Sequence, residues 1–434
     1  MQLPAYVQFC IQRLEDAGFA AWAVGGCVRD ARLGLTPHDY DLCTAATPAE
    51  TAAIFADLPL IRNGEKHGTV GVILDHQVCE ITTFRTEGSY TDSRHPDWVA
   101  FVSDIEMDLA RRDFTVNAMA YSPTRGYADP FGGQNDLQNH ILRAVGDPYQ
   151  RFIEDALRIL RGVRFAVRFS LTPDPETEQA MLSLTPRLQN IAVERVFEEL
   201  CKLLPQITAA DLLRYAPILA EVMPQLRPSI GFDQRNHHHA YDVFTHTTHV
   251  MEGVPADLTL RWAALLHDVG KPACFTLDEN GSGHFYGHAE KSAQLADAIL
   301  RHLKAPTALR EDVVFLVGKH MTLLPPDKKI LRRRLSQYGQ RRLQMLLQLQ
   351  KADFCAKGVR GDAPAFAEIA AILSEIFAEN ACLALKDLAV NGHDLLKLGY
   401  TGPAIGQALQ YLFNQVLDEN VPNEKEALLN LLQR

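Results

Sequence analysis

The hydrophobic pattern of this chain changes period once, near residue 148, and that change limits what it can fold into. Up to about residue 105, short β-rich runs alternate with polar turns: FAAWAVGG, DYDLCT, TVGVIL, QVCEITTFR and WVAFVS. Runs of β-branched and aromatic residues of that length read as strands. Two helices are expected among them, over 3–17 and 48–57, the second capped by Thr47 with Pro48 at its first position. From about 148 the period is helical and stays so to the end. The expected architecture is a small α/β head followed by a long all-α remainder. Joints are expected at Pro224–Pro228 and at Pro325–Pro326, and a Gly-rich loop over 278–288.

Composition bounds the function. The 434 residues, 47% hydrophobic and 22% charged, suit a globular chain of several domains. No run of 18 apolar residues occurs, so no membrane span is expected. The first residues carry Arg13, Glu15 and Asp16 where a secretory signal needs an apolar stretch, so a cytoplasmic location is expected. Eight scattered cysteines without a C-x-x-C pair point to reduced thiols. A net charge of −10 alone argues against nucleic-acid binding, but local patches govern phosphate contact. Basic residues cluster at Arg158, Arg161, Arg164 and Arg168, and again at Lys328, Lys329, Arg332, Arg333 and Arg334.

In the head, Gly25-Gly26-Cys27-Val28-Arg29-Asp30 follows one expected strand and Asp39-Tyr40-Asp41 opens the next. Residues i and i+2 of a strand share a face, so Asp39 and Asp41 would present two carboxylates side by side. Such a pair suits Mg²⁺, which binds a few carboxylates together with substrate phosphates. Glycines admit a triphosphate close to the backbone, and Arg29 offers it charge. A lone D-x-D is common in turns. The third element, Arg111-Arg112-Asp113-Phe114-Thr115-Val116-Asn117-Ala118, raises its meaning.

The ordered set GGCVRD, DYD and RRDFTVNAMAY resembles the head of the class II tRNA nucleotidyltransferase and bacterial poly(A) polymerase superfamily. The resemblance implies a polymerase-β-like nucleotidyltransferase fold, with Asp39 and Asp41 holding Mg²⁺ as the catalytic pair. It implies nucleotide contacts by Gly26, Arg29 and Arg112, with Asp113 as a ribose partner.

Glu154-Asp155-Ala156-Leu157-Arg158 through Arg164 reads as one helix with an arginine stripe opposite an apolar stripe. Such a stripe is most often a solvated surface. The resemblance makes it the neck helix that reads the incoming base through Asp155 and Arg158, with Arg161 and Arg164 serving triphosphate or base. The chemistry is consistent. Cytosine N4 and adenine N6 are amino donors, whereas uracil and guanine place carbonyls there. A carboxylate beside a guanidinium therefore admits C and A, and faces the others with unpaired groups. Glu194 and Arg195, in IAVERVFEEL, are expected to brace this helix through an ion pair.

Two further segments resemble enzymes that build complete CCA ends: Gly64-Glu65-Lys66-His67-Gly68-Thr69-Val70, and a loop from Glu87 to Pro96. Ten of sixteen histidines lie between 237 and 320, among them the triplet His237–His239. There LRWAALLHDVGKP resembles the HD superfamily of metal-dependent phosphohydrolases. That likeness implies a second divalent metal (Mn, Ni, Fe or Zn) on His246, His267, Asp268 and Asp353, with His284, His288 and His320 as further candidates. The tail around Val390-Asn391-Gly392-His393 and Gly399-Tyr400-Thr401-Gly402 also resembles these enzymes. The implied organisation is a head over 1–147, a neck over 148–205, a helical body over 206–380 with its HD domain at about 240–356, and a helical tail over 381–434. The implied activity is addition of C, C and A to the 3′ end of tRNA from CTP and ATP, without a nucleic-acid template and with release of pyrophosphate. The implied tRNA contacts are the acceptor and TΨC arms. The Lys328–Arg334 cluster is either a phosphate contact or a solvated face, and no membrane or protein partner is implied. Rival readings are an enzyme adding only A, a poly(A) polymerase, and an HD phosphohydrolase with a relic head.

Overall fold

The computed structural model describes residues 1–88, 99–236, 240–359, 365–379 and 382–433. Most of the loop from Glu87 to Pro96, and the triplet His237–His239, lie outside the described residues. The chain divides into two compact units, Met1–Ile207 with Arg214–Pro224, and Thr208–Leu213 with Gln225–Arg434.

The first unit opens with helix α1 (Ala5–Asp16), which buries Val7, Cys10, Ile11 and Leu14 at helical spacing. Strand β1 (Ala21–Val24), helix α2 (Gly26–Arg32), strand β2 (Asp41–Thr44) and helix α3 (Pro48–Ile54) follow. Thr47 and Glu50 cap α3 reciprocally, with Pro48 in its first turn as expected. Strands β3 (Leu60–Ile61), β4 (Thr69–Leu74) and β5 (Gln77–Thr83) lead to a separate two-stranded ladder of β6 (Arg85–Glu87) and β7 (Val99–Phe101). Helix α4 (Ile105–Ala110), strands β8 (Ala120–Ser122) and β9 (Gly126–Ala128), and helix α5 (Gly133–Gln138) complete the head. Seven strands form one mixed sheet in the order β3-β4-β5-β2-β1-β8-β9. Its one parallel pair is β2 with β5, in which Asp41 faces Glu80.

Two sequence expectations change here. WVAFVS contributes a strand, but to the side ladder and not to the main sheet. Strands β8 and β9 were not foreseen. Three residues hold too few alternations to show a period, and what orders them is pairing of Tyr121 with Ala23.

Strand β10 (Ile141–Leu142) pairs with β11 (Thr172–Pro173). Residues 148–205, expected as a neck, hold helices α6 (Pro148–Glu154), α7 (Leu157–Phe169), α8 (Pro175–Leu184) and α9 (Val193–Leu203). The expected continuous helix through Glu154–Arg164 is broken. Asp155 has extended backbone, φ −144° and ψ 101°, and its carboxylate accepts the Leu157 N–H at 3.0 Å. Two short helices, α10 (Ala209–Arg214) and α11 (Ala216–Val222), come next.

The second unit is helical: α12 (Val243–Gly253), α13 (Leu258–Leu266), α14 (His288–His302), α15 (Thr307–Lys319), α16 (Lys328–Tyr338), α17 (Gln340–Cys355), α18 (Phe366–Ala378), α19 (Gly392–Lys397), α20 (Pro403–Leu417) and α21 (Lys425–Leu432). Thr259 through Leu266 of α13 are all buried, so this helix forms the centre of the unit. The segment expected as a Gly-rich loop, 278–288, includes β13 (Gly283–His284), which pairs with β12 (Thr276–Leu277) just before it, and ends at the first residue of α14. The cations of α16 are tied inside the unit: Lys328 to Glu379, Lys329 and Arg333 to Asp418, and the buried Arg332 to Glu419. No helix among the described residues is long and apolar enough to cross a membrane.

Candidate nucleotide and metal sites

A cavity of about 480 Å³ in the first unit is lined by Gly25, Gly26, Arg29, Asp41, Arg112, Asp113, Asp155, Arg158, Arg161 and Arg164, together with Arg111, Asn117, Leu157, Phe165 and Arg195. Thus all but one of the residues expected to hold catalytic metal or nucleotide line it. The exception is Asp39, expected on the same strand face as Asp41: β2 begins only at Asp41, and Asp39 lies exposed two residues before it. Seven arginines against three aspartates line the cavity, which suits a polyanion. Its volume is that of a small-ligand site.

Each element delivers its part for a local reason. Gly25 takes φ +76°, and a Cβ there would sit 2.8 Å from Arg112 Nη1. Asp41 opens β2, and the parallel register places Glu80 beside it. Loss of hydration, then the charges of Glu80 and Asp39, push the Asp41 carboxyl up, against the opposing pull of Arg112. Asp41, with the charges of Glu80 and Asp39 acting on it, is a carboxylate that fits a divalent cation. Glu80 was missed in the sequence, because strand register is what brings it there.

The RRD arginines are oriented by Asp108, a fully buried carboxylate on α4. Arg111 reaches it at 2.8 Å and Arg112 at 3.3 Å. Burial alone would raise the Asp108 carboxyl, but the two guanidinium charges hold it below the usual range.

Asp113 is more constrained than a ribose partner need be. Its oxygens accept from Phe114 N at 2.9 Å, Asn117 Nδ2 at 3.0 Å and Arg161 Nη2 at 2.6 Å. Burial opposes its ionisation, yet Arg161 and Asn117 override that and hold it at about 2, below the ordinary 3.8. A folded-state value below the unfolded one contributes stability that is present above about pH 4 and lost as pH falls towards 2, on the order of 2 kcal/mol. Acid unfolding followed by circular dichroism should therefore lose this component in Asp113→Asn, and an unchanged acid limb would refute the assignment.

Asp155 and Arg158 both face the cavity but do not pair with each other. Asp155 meets Arg195 at 2.8 Å, and Arg158 meets Glu154 at 2.7 Å and the carbonyls of Arg151 and Arg111 at 3.1 Å. The expected brace by Arg195 thus acts on Asp155 itself. Arg164 is buried on Glu199, 2.6 Å away, and Arg29 on Asp30 at 2.8 Å and on Asn117. Of the arginine stripe, Arg158 and Arg164 are buried and Arg161 is half-buried, whereas Arg168 is exposed. Glu199 and Asn117 were not singled out from sequence, since only the fold brings them to these arginines.

The second unit gathers a different donor set. His246 on α12, His267 and Asp268 after α13, His288 at the start of α14, and His320 after α15 are all buried. One oxygen of Asp268 lies 3.2 Å from His267 Nε2 and 3.6 Å from His246 Nε2. The other lies 3.4 Å from His288 Nε2 and 3.8 Å from His320 Nε2. Asp353 Oδ1 is 3.0 Å from His246 Nε2. These donors form two sets of possible metal ligands that share Asp268.

The tautomers follow from the other ring nitrogens. Nδ1 of His246, His267, His288 and His320 faces the carbonyls of Ala356, Ala264, Phe285 and Val317, at 3.3, 2.8, 2.7 and 2.7 Å. A carbonyl only accepts, so each Nδ1 carries a proton and each ring, when neutral, turns its Nε2 lone pair inward; burial opposes the charged form of His267, but Asp268 beside it pushes that ring up. His288 Nε2 and His320 Nε2 then face each other 3.2 Å apart, and the buried Nε2 of His267 makes no hydrogen bond. Burial lowers His288, and burial with the His267 charge lowers His320 to about 4, so both stay lone-pair donors. Imidazoles oriented through Nδ1 around a carboxylate fit borderline divalent metals. His284 departs from this set: it meets Asp278 across the hairpin and stacks on Tyr286. Lys271, not foreseen, lies 2.7 Å from Asp268 and 2.9 Å from Gln234.

Three family models match parts of the chain. Residues 21–143 match the family described as Poly A polymerase head domain, 170–229 the probable RNA- and SrmB-binding site of polymerase A, and 285–432 the putative tRNA nucleotidyltransferase domain 2. The CCA-adding enzyme of Levilactobacillus brevis is 36% identical over 96% of this chain and 95% of its own length. That of Limosilactobacillus fermentum is 35% identical over 96% and 94%. The crystal structure of the Bacillus stearothermophilus CCA-adding enzyme in complex with CTP aligns at a TM-score of 0.72 and 29% identity, over 100% of this chain and 98% of that one. A Thermotoga maritima CCA-adding enzyme complexed with tRNA shares the fold at 20% identity and a TM-score of 0.60, over 99% of this chain and 94% of that one. The chain belongs to the CCA-adding enzyme family of nucleotidyltransferases.

Proposed function

We propose that the cavity binds CTP or ATP and that the chain adds C, C and A to the 3′ end of tRNA, releasing pyrophosphate. The carrying observation is the convergence of Asp41, Arg112, Asp155, Arg158 and Arg161 on one cavity. Asp39 and Asp41 would hold Mg²⁺, which supplies activation of the attacking hydroxyl and charge for the leaving pyrophosphate. The residues do the rest. Arg29, Arg112, Arg161 and Arg164 offer charge to the triphosphate, and buried partners hold their planes in place.

Asp155 and Arg158 have the right vacancies to select the base. A carboxylate offers roughly four lone-pair positions, and Leu157 N and the two Arg195 nitrogens take three of those on Asp155. One remains for an amino group of cytosine or adenine. Arg158 donates to Glu154, Arg151 and Arg111, and keeps donors for the ring nitrogen beside that amino group. Asp155→Ala should relax selection of CTP and ATP over UTP and GTP by about tenfold to a hundredfold, measured as relative kcat/KM. Unchanged selectivity would sink the template reading.

The second unit supports an additional reading. Two divalent ions of the Mn, Fe, Ni or Zn kind would sit one on His246, His267, Asp268 and Asp353, the other on Asp268, His288 and His320. Bound there, they would supply a nucleophilic hydroxide for hydrolysis of a phosphomonoester or a 2′,3′-cyclic phosphate. The specific observation favouring it is the pair of facing Nε2 atoms on His288 and His320.

A further inference from the structure

We propose that Phe165 is a positioning residue for the triphosphate, its ring gathering the guanidinium groups of Arg29, Arg161 and Arg164 at one end of the cavity. The inference rests on reading that cavity as the nucleotide site. Phe165 lines the cavity although it is only 4% exposed. The guanidinium carbons of Arg164, Arg161 and Arg29 lie 4.3, 5.1 and 5.2 Å from its ring centroid. Phe169, one turn on, stacks on Phe165 at 6.1 Å and 23°, and holds Arg29 at 4.2 Å and Arg168 at 5.1 Å. Two rings thus interleave four like charges. Phe114 meets Phe165 edge-on at 5.9 Å and 84° and anchors it against the core.

The physical need is plain. Arginines this close repel one another, most strongly while no phosphate is bound. Burial and the neighbouring Arg161 pull the Arg164 guanidinium down, even with Glu199 beside it. The carboxylates Asp30, Asp113 and Glu199 form ion pairs with Arg29, Arg161 and Arg164 one for one, so that each pairs with a single arginine of the three. Phe165 lies against all three. The negative face of a π system attracts each cation, and a guanidinium engaged through its plane keeps its N–H edge for a phosphate oxygen.

An isosteric series tests this. Phe165 replaced by mono-, di- and trifluorophenylalanine keeps its shape while the ring face loses negative charge in steps. Calorimetric Kd for CTP and for ATP should rise stepwise, by the same factor for both, reaching about tenfold at an unchanged thermal midpoint. The preference for CTP over UTP should not move, because Asp155 and Arg158 are untouched. Phe165→Leu, apolar and similar in volume, should raise both Kd values at least as much. A Kd flat across the fluorinated series would overturn the proposal and make Phe165 packing alone. Wild-type protein that binds neither CTP nor ATP would instead overturn the nucleotide-site reading beneath it.

Discussion

Asp41→Asn should reduce nucleotide incorporation by at least about a thousandfold and leave the thermal midpoint unchanged or slightly raised. The loss is large because the residue proposed to carry the metal changes from an anion to a neutral amide in a single step. The stability outcome follows from the sign of its shift. Loss of hydration and the charges of Glu80 and Asp39 push the Asp41 carboxyl above its ordinary value. A carboxyl raised in the folded state makes folding less favourable as pH climbs through its folded pKa. At neutral pH the asparagine removes that penalty. Magnesium should raise the midpoint of the wild type and not that of the variant. A variant that keeps its rate, or one that unfolds, would each contradict the assignment of Asp41 as a metal ligand in a preformed head.

Asp268→Ala should strip the second unit of bound metal altogether and destabilise it by about 3–5 kcal/mol. Asp268 is 2% exposed and stands between two histidine pairs and Lys271. Its removal takes the carboxylate away from the buried Lys271 and deletes the one ligand common to both metal-binding sets. Metal analysis of purified protein should read two ions per chain in the wild type, one in His288→Ala with His320→Ala, and none in Asp268→Ala. One ion in the wild type, held through the double variant, would refute the bridged arrangement. No ion in the wild type after loading with Mn²⁺ or Zn²⁺ would refute the centre itself.

Several of these features are legible in the amino-acid order, for reasons that separate them from those that are not. The D-x-D pair, the glycine turn and RRD are local patterns that can be read as they stand, and all but Asp39, which precedes strand β2, line one cavity. The period of the neck likewise orders its side chains. It cannot say which face is buried, and Arg158 and Arg164 are buried because Glu154 and Glu199 come to them. The break at Asp155 is not legible either. Glu154, Ala156, Leu157 and Arg158 all favour helix, and what stops it is a carboxylate drawn to Arg195, forty residues on. Glu80 reaches Asp41 through strand register, and β8 is ordered by its partner strand, so neither has a local signal.

The histidines divide along the same line. His267 and Asp268 are adjacent, so their doublet is visible as it stands. His284, His288 and His320 look alike in sequence. They separate because His288 begins a helix and His320 ends one, both turned to Asp268, whereas His284 lies on a hairpin facing Asp278.

The central claim is tested most directly with a tRNA transcript ending at its discriminator base. It is incubated with the protein, Mg²⁺ and CTP, ATP or both, and its 3′ ends are then sequenced. CC from CTP alone and CCA from the mixture, with extension stopping there, is the expected result. Long A tracts, a single A added only to ends already carrying CC, or no incorporation on any end would contradict it.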